Sequence, residues 1–538
     1  MSITDTTVPN PAAANLTPSD NPDSVTGYYN ALLSAVRSSY ASQIGAATIY
    51  SVDSTPPFYY VTQNPNSSNV MRMNKLTYQV IDSLASPSTL NPGSVSLTPN
   101  EFWSTYQTLV NQITYTLSDA DQATLTQDQL AASASEQTLV RNYQSSFGVI
   151  TPALLTAATT ALGYTAMPID YVISYVMGMK WSGNASGISL QQMQEAQNLQ
   201  NLFPKMPAAG MNFLNSVSAY LNALGASTAL KDQLNAGSFT IAQIRNNLLA
   251  NNLSITASGV TVPGPAATLT YDPNKGNADA EFVPAYTLNP ADLQTMLNGL
   301  GNKSASITIT MEVDKQSDGS YNVSINGGGG FAVDAGFFTW GAEATASYNL
   351  NSSAGTGSSC TIRLTYSGFQ KVDVVPEPWS AAQWAGNPAN TPGWFNEQML
   401  RQAFANYMTT VGGGTRPTGF NFQQAPACYI GQYPSGGFHY VSSLLITNPP
   451  TVSIDFAQGS YSEFAKSFQQ QSSTEVNLFG IVLARASSNS YQASSSQNTS
   501  GTGFSLSFGP PTGAGIATDL SSAYIVGAVV SSPAAPRS

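Results

Sequence analysis

Acid–base or nucleophilic chemistry needs a titratable side chain within reach, and this chain offers few. Its one histidine, His439, lies in the run Gly436-Gly-Phe-His-Tyr-Val-Ser-Ser443. Any Ser-His-Asp or Cys-His arrangement would have to use it. No Gly-x-Ser-x-Gly elbow is present, and Cys428 lies in no nucleophile motif. His439 therefore reads as a structural or surface residue beside aromatics, and no catalytic residue is expected. Paired carboxylates are the other route, because two acids flanking a sugar suffice for glycoside chemistry. Glu312, Asp314, Glu343, Asp373 and Glu377 fall in or near one β-rich stretch, with Trp379, Trp384 and Trp394 as platforms for a sugar ring. The plainer reading is solvent-facing strand acids and a Trp-lined loop packed on a sheet. For a metal, Asp272, Asn274, Asp279 and Glu281 bring oxygen atoms together, but their spacing does not match a twelve-residue calcium loop. Gly327 to Gly330 has no following Lys-Ser/Thr and reads as a bend between strands. No metal and no cofactor are expected.

Composition narrows the class further. The 538 residues are 42% apolar, enough for a real core, but only 9% charged, against about 25% in an average soluble protein. With 18 Lys+Arg against 29 Asp+Glu the net charge is −11. A nucleic-acid partner is excluded for want of a basic face, and so is attraction to anionic lipid by charge alone. A surface of small, uncharged polar residues suits packing against other protein, so a homo-oligomer is expected. The first residues carry neither the basic n-region nor the apolar h-region of a Sec leader. The expectation is synthesis in the cytoplasm, with any release by a non-Sec route. Two cysteines, Cys360 and Cys428, fit one disulfide or two thiols equally well by spacing.

One stretch, 451–509, has a layout of its own. An apolar centre (Val476, Leu478, Phe479, Ile481, Val482, Leu483) is flanked by long arms of Ser, Gln, Thr and Asn. A soluble protein that pushes a hairpin through a bilayer needs an apolar tip and cheaply crossing arms. Those arms must then pair into a closed barrel so that no backbone group stays unsatisfied in hydrocarbon. The alternating run Phe338, Trp340, Ala342, Ala344 and Ala346 offers a second such face. Against this, the arms of 451–509 alternate poorly, and Phe464 and Phe468 stand at helical spacing. A buried core strand between Ser/Gln-rich surface loops explains 476–484 as well.

The elements that position these residues follow from hydrophobic period. Residues 1–26 read as a flexible arm and 27–97 as a mixed segment packing on a helical domain at 98–250. There Thr98-Pro-Asn-Glu101 reads as a capping box ahead of a stripe Trp103, Tyr106, Val110, Ile113 and Leu117. Thr151-Pro152 starts a second helix, and Met211 to Leu224 a third that stops at Gly225. Residues 251–304 connect. From 305 to 410 the period becomes two, with strands at 306–313, 321–325 and 361–375, then a Trp-rich loop and a helix. Residues 411–538 return to strands and hold the candidate insertion hairpin. The expected fold is α+β: a helical N-terminal half followed by an antiparallel β-rich C-terminal half. Three readings follow: a self-associating pore former of toxin type with a lipid membrane as partner, a structural assembly subunit of shell, tail or fibre type, and a carbohydrate-binding protein whose partner is a glycan.

Overall fold

The computed structural model describes residues 34, 49–52, 57–58, 62–64, 67–72, 80–88, 94–99, 101–177, 208–251, 286–287, 306–315, 321–326, 330–333, 338–340, 359–379, 393–431, 433–448, 450–457, 476–478, 481–484, 492–497, 503–509 and 523–533. Helices dominate the first half and antiparallel sheets the second, as the change of period from 3.6 to two requires. The chain divides into two compact units, one of residues 1–109, 244–397 and 427–535, the other of 110–243, 398–426 and 536–538.

The helices labelled here are α1 (Phe102–Gln112), α2 (Asp119–Phe147), α3 (Pro152–Leu162), α4 (Ala208–Asn251) and α5 (Glu397–Val411). α3 begins where the sequence places it: the Thr151 hydroxyl accepts from the Leu154 N–H, Pro152 fills the first turn, and Gly163 ends the helix at φ 79°. α2 starts the same way, with the Ser118 hydroxyl accepting from the Asp121 N–H. α2, α3, α4 and the helical turn Tyr171–Val176 bury Leu139, Tyr143, Ala158, Val172, Phe213 and Val217 in one cluster, in which Tyr143 meets Phe213 edge-on at 5.6 Å.

Two helix expectations are corrected. α1 does not begin with the box at Thr98–Glu101, because Thr98 is the last residue of a strand, Val95–Thr98. A distant residue caps it instead: the Trp103 N–H donates to Asp82 Oδ1 at 3.0 Å, and the Glu101 and Phe102 N–H groups donate to the Asp82 carbonyl. The stripe also stops early, because Ile113–Thr116, rich in β-branched residues, leaves the helix to pair with Gly419–Phe422. α4 runs straight through Gly225. A glycine stops a helix by turning left-handed, and here the apolar stripe continues past it to Ile241, Ile244 and Leu248, all buried.

In the first unit, one sheet is centred on Tyr440–Thr447, paired with Ala523–Ser531, Gln370–Asp373 and Leu84–Pro87. Its core holds Val52, Ile81, Val372, Leu444, Ile446 and Ile525. A knot of rings lies in the same unit, where Phe102 packs against Trp394, Phe395, Phe438 and Tyr440.

The elements of interest lie in a second, seven-stranded sheet of that unit and in a separate three-stranded one (β4, β7 and β8): β1 (Ser306–Lys315), β2 (Tyr321–Ile325), β3 (Gly330–Val333), β4 (Phe338–Trp340), β5 (Cys360–Ser367), β6 (Thr451–Phe456), β7 (Val476–Leu478), β8 (Ile481–Ala484), β9 (Gln492–Gln497) and β10 (Phe504–Gly509). Seven strands lie in the order β3-β2-β1-β5-β6-β10-β9, all antiparallel. One face is apolar and buried, including Ile309, Met311, Ile362, Leu364, Ile454 and Phe504. The other is polar and carries a Thr308–Thr365 hydroxyl bond and an Arg363–Asp455 ion pair. The stretch 361–375, expected as one strand, breaks at Gly368, whose φ of 69° favours glycine. β5 ends there, and Gln370–Asp373 joins the other sheet.

Candidate membrane-insertion site

The two candidate segments of the sequence come together. β4 holds Phe338 and Trp340 and pairs antiparallel with β7, which holds Val476 and Leu478: Phe338 faces Leu478 and Trp340 faces Val476. β7 pairs in turn with β8, where Ile481, Val482 and Leu483 lie. Phe479, Ala342, Ala344 and Ala346 lie outside the described residues, as do Glu343, Trp384, the Asp272–Glu281 oxygen cluster and residues 1–26.

The register of this small sheet carries the argument. At the root, β5 and β6 pair with Cys360 opposite Phe456. Trp340 precedes Cys360 by the same length of chain by which Val476 follows Phe456. A ladder continued outward from the root therefore arrives at Trp340 opposite Val476, which is the pair observed. The second hairpin repeats this. β6 and β10 pair with Phe456 opposite Phe504. Equal steps outward along both strands arrive at Val476 opposite Ala484, again the observed pair. The segments between root and tip (341–359, 457–475 and 485–503) are thus equal in length. The pairs Trp340–Val476 and Val476–Ala484 are therefore those a ladder extended from the root would give; past Val476 the β7–β8 pairing shifts by one residue, and nearly all of 341–359 and 457–475 lies outside the described residues.

Both excursions also leave from one end of the sheet. β1 ends and β5 begins at the Val313–Cys360 end, and β6 ends and β10 begins at that same end. The segments between β7 and β8, and before β4, each contain Phe and Gly (Phe479-Gly480 and Gly336-Phe337).

Side-chain parity extends the pattern. β1 buries its odd-numbered residues, and the odd positions continue as Tyr321, Val323, Ile325, Phe331, Val333 and Phe337. β5 buries its even-numbered residues, and even positions from Phe338 through Ala342, Ala344, Ala346 and Tyr348 to Leu350 stay apolar or small. The two excursions carry seven charges. Six of them (Asp318, Asp334, Glu343, Glu463, Glu475 and Arg485) take the parity of the polar face, and Lys466 is the exception. Phe464 and Phe468, four apart, suit one strand face as readily as one helix face, and in number they share the parity of Ile454 and Phe456. The period-two signal thus runs through 317–350, beyond the two stretches, 321–325 and 338–346, that announce themselves in the sequence.

Among the described residues His439 stands apart from the candidate acids. His439 is buried; its Nε2 accepts from the Gly436 N–H at 3.2 Å. The proton therefore sits on Nδ1 and is donated to Ser532 Oγ at 2.7 Å. An imidazole already donating to the serine cannot take that serine's proton, and burial holds its pKa below the ordinary value despite the Gly436 bond. Among the acids, Glu312 and Asp314 are exposed on β1. Asp373 accepts from Ser443 at 2.7 Å and pairs with Lys371 at 2.9 Å, and burial raises the Glu377 carboxyl. Trp394, one of the three tryptophans weighed as sugar platforms, is fully buried against Phe102 and Tyr106 and offers no face to a ligand. Cys360 and Cys428 are free thiols.

Among the described residues no cluster of His, Cys, Asp and Glu is suited to a metal, and no single helix is long and apolar enough to cross a membrane. No protein-family model, curated protein or solved structure matches this chain.

Proposed function

We propose that this chain is a self-associating pore former whose second half supplies two β-hairpins, at 316–359 and 457–503, to a membrane barrel. The observation that supports this best is the shared register of root and tip, because a transmembrane hairpin is a continuous ladder from the sheet that anchors it to its turn. The alternating run 338–350 is longer than the ~9–11 residues a tilted strand needs to cross a bilayer. Two hairpins give four strands per copy, too few to close a barrel, so copies must combine until no edge remains. The polar parity, with five acids and one Arg, then faces the lumen.

Dye-loaded liposomes incubated with the full chain are expected to leak, with ring-shaped particles on the vesicles by electron microscopy. Phe479→Asp at the tip is expected to cut leakage at least tenfold while the soluble protein keeps its wild-type circular dichroism. Intact vesicles beside regular particles in solution would move the assignment to an assembly subunit. Intact vesicles with monomers alone would leave glycan binding. In planar bilayers the acidic lumen predicts cation-selective channels, read as the sign of the reversal potential in a KCl gradient. Anion selectivity would contradict the parity assignment.

A further inference from the structure

Three strands of the large sheet belong, by residue number, to the excursions themselves. In the first hairpin the arm continuing β1 outward is 316–335, yet its residues fold back as β2 and β3 beside β1. In the second, residues 492–497 of the arm 485–503 run back along β10 as β9, with Gln492 opposite Gly509 and Gln497 opposite Phe504. Both folded-back pieces occupy the outer arms; the inner arms, 341–359 and 457–475, lie almost wholly outside the described residues, and their equal lengths suit one register from root to tip. We propose that β2–β3 and β9 are a lock: they hold the outer arms in reserve on the two edges of the sheet, and insertion consists of peeling them off and re-pairing them with the inner arms. This rests on the pore-forming reading above.

The exchange conserves backbone chemistry. β9 gives up its short ladder with β10 and joins a longer one running the whole length of 457–475, where Gln492 would face residue 468 and Gln497 residue 463. Each lost N–H···O bond is replaced by an equivalent one, so the net change per bond is small. The sequence of β9, Gln-Ala-Ser-Ser-Ser-Gln, is uncharged and without a large apolar side chain, and register is weakly specified in such strands. β2, by contrast, buries Val323 and Ile325. The second hairpin is therefore released before the first.

The test is a reversible cross-link. Ser494 and Ser507 pair directly across β9 and β10, at a spacing a disulfide spans. Oxidised Ser494→Cys/Ser507→Cys is expected to release dye at least tenfold more slowly than wild type, with full recovery in dithiothreitol, which also shows that the variant is folded. Oxidised Ser453→Cys/Ser507→Cys ties the same β10 position to β6, a pair kept in both states, and is expected to release dye like wild type. Burial pushes the native thiols up, Cys360 to about 12 and Cys428 to about 11, so the introduced pair oxidises selectively. Undiminished release from the locked protein, or equal block by both cross-links, would overturn the lock and leave the pore reading standing. No release from wild type would remove the pore reading itself.

Discussion

Ala344→Arg is expected to cut dye release at least a hundredfold, whereas Thr345→Arg, one residue along, is expected to leave it within about threefold of wild type. Residue 344 shares the parity of Phe338, Trp340, Ala342 and Ala346, and, continued along the strand line, that of buried Cys360, Ile362 and Leu364. In the proposed barrel this parity would face lipid and the parity of Glu343 the lumen. An Arg at the bilayer midplane of a β-barrel costs about 2–4 kcal/mol, and about 2.7 kcal/mol is a hundredfold. The cost recurs in every copy of the ring, so the stated figure is a lower bound. Residue 345 shares the parity of Glu343 and faces water, where an added cation alters conductance and selectivity but not insertion. The measurement is initial release rate at matched protein concentration, with circular dichroism as the folding control. A buried core strand, or a surface loop in a protein that never meets lipid, predicts no such difference between neighbours. Equal effects at 344 and 345 would overturn the proposed face.

The alternation that makes this prediction was legible in the sequence. Ser306 to Ile325 and Phe338 to Ala346 announce strands by period alone, and β1, β2 and β4 lie there. Thr151-Pro152 likewise fixed the start of α3 by local capping chemistry. What could not be read was anything set by a distant partner. α1 is capped by Asp82, which lies upstream of the intervening strand Val95–Thr98, so the local box at Thr98 was a decoy. Ile113 continues a helical stripe in sequence but pairs as a strand with Phe422, far along the chain. Three tryptophans in one Pro-rich loop admit a sugar platform as well as a packed loop; the burial of Trp394 depends on Phe102 and Tyr106, far away in sequence. The proposed insertion site lies between these cases. Each candidate segment could be seen alone, but their common register needs the pairs Trp340–Val476 and Cys360–Phe456, which spacing within one segment does not encode.

Asp82 gives the fold a stability that falls as pH rises through neutrality. The side chain is 2% exposed, and its Oδ1 accepts from the Trp103 N–H at 3.0 Å and the Tyr286 hydroxyl at 2.6 Å. Burial pushes the carboxyl from 3.8 to about 7, the two donors pull it down, and the nearby Glu101 carboxylate adds to the rise. A folded pKa above the unfolded one means the native state holds the proton more tightly. This contribution is complete below about pH 4 and is lost as pH climbs through about 7. It amounts to at most roughly 4 kcal/mol, enough to show in a chemical melt against a total stability of about 5–15 kcal/mol. Asp82→Asn keeps an Oδ1 acceptor for Trp103 and Tyr286 and cannot ionise. It is expected to match wild type within about 1 kcal/mol at pH 5 and to exceed it by about 1–3 kcal/mol at pH 8. Asp82→Ala removes the side-chain acceptor of the Trp103 N–H and the Tyr286 hydroxyl, while the Asp82 carbonyl still caps Glu101 and Phe102, and is expected to cost about 1–3 kcal/mol at pH 5. Parallel pH profiles for wild type and Asp82→Asn would show that this carboxyl is not the group that titrates.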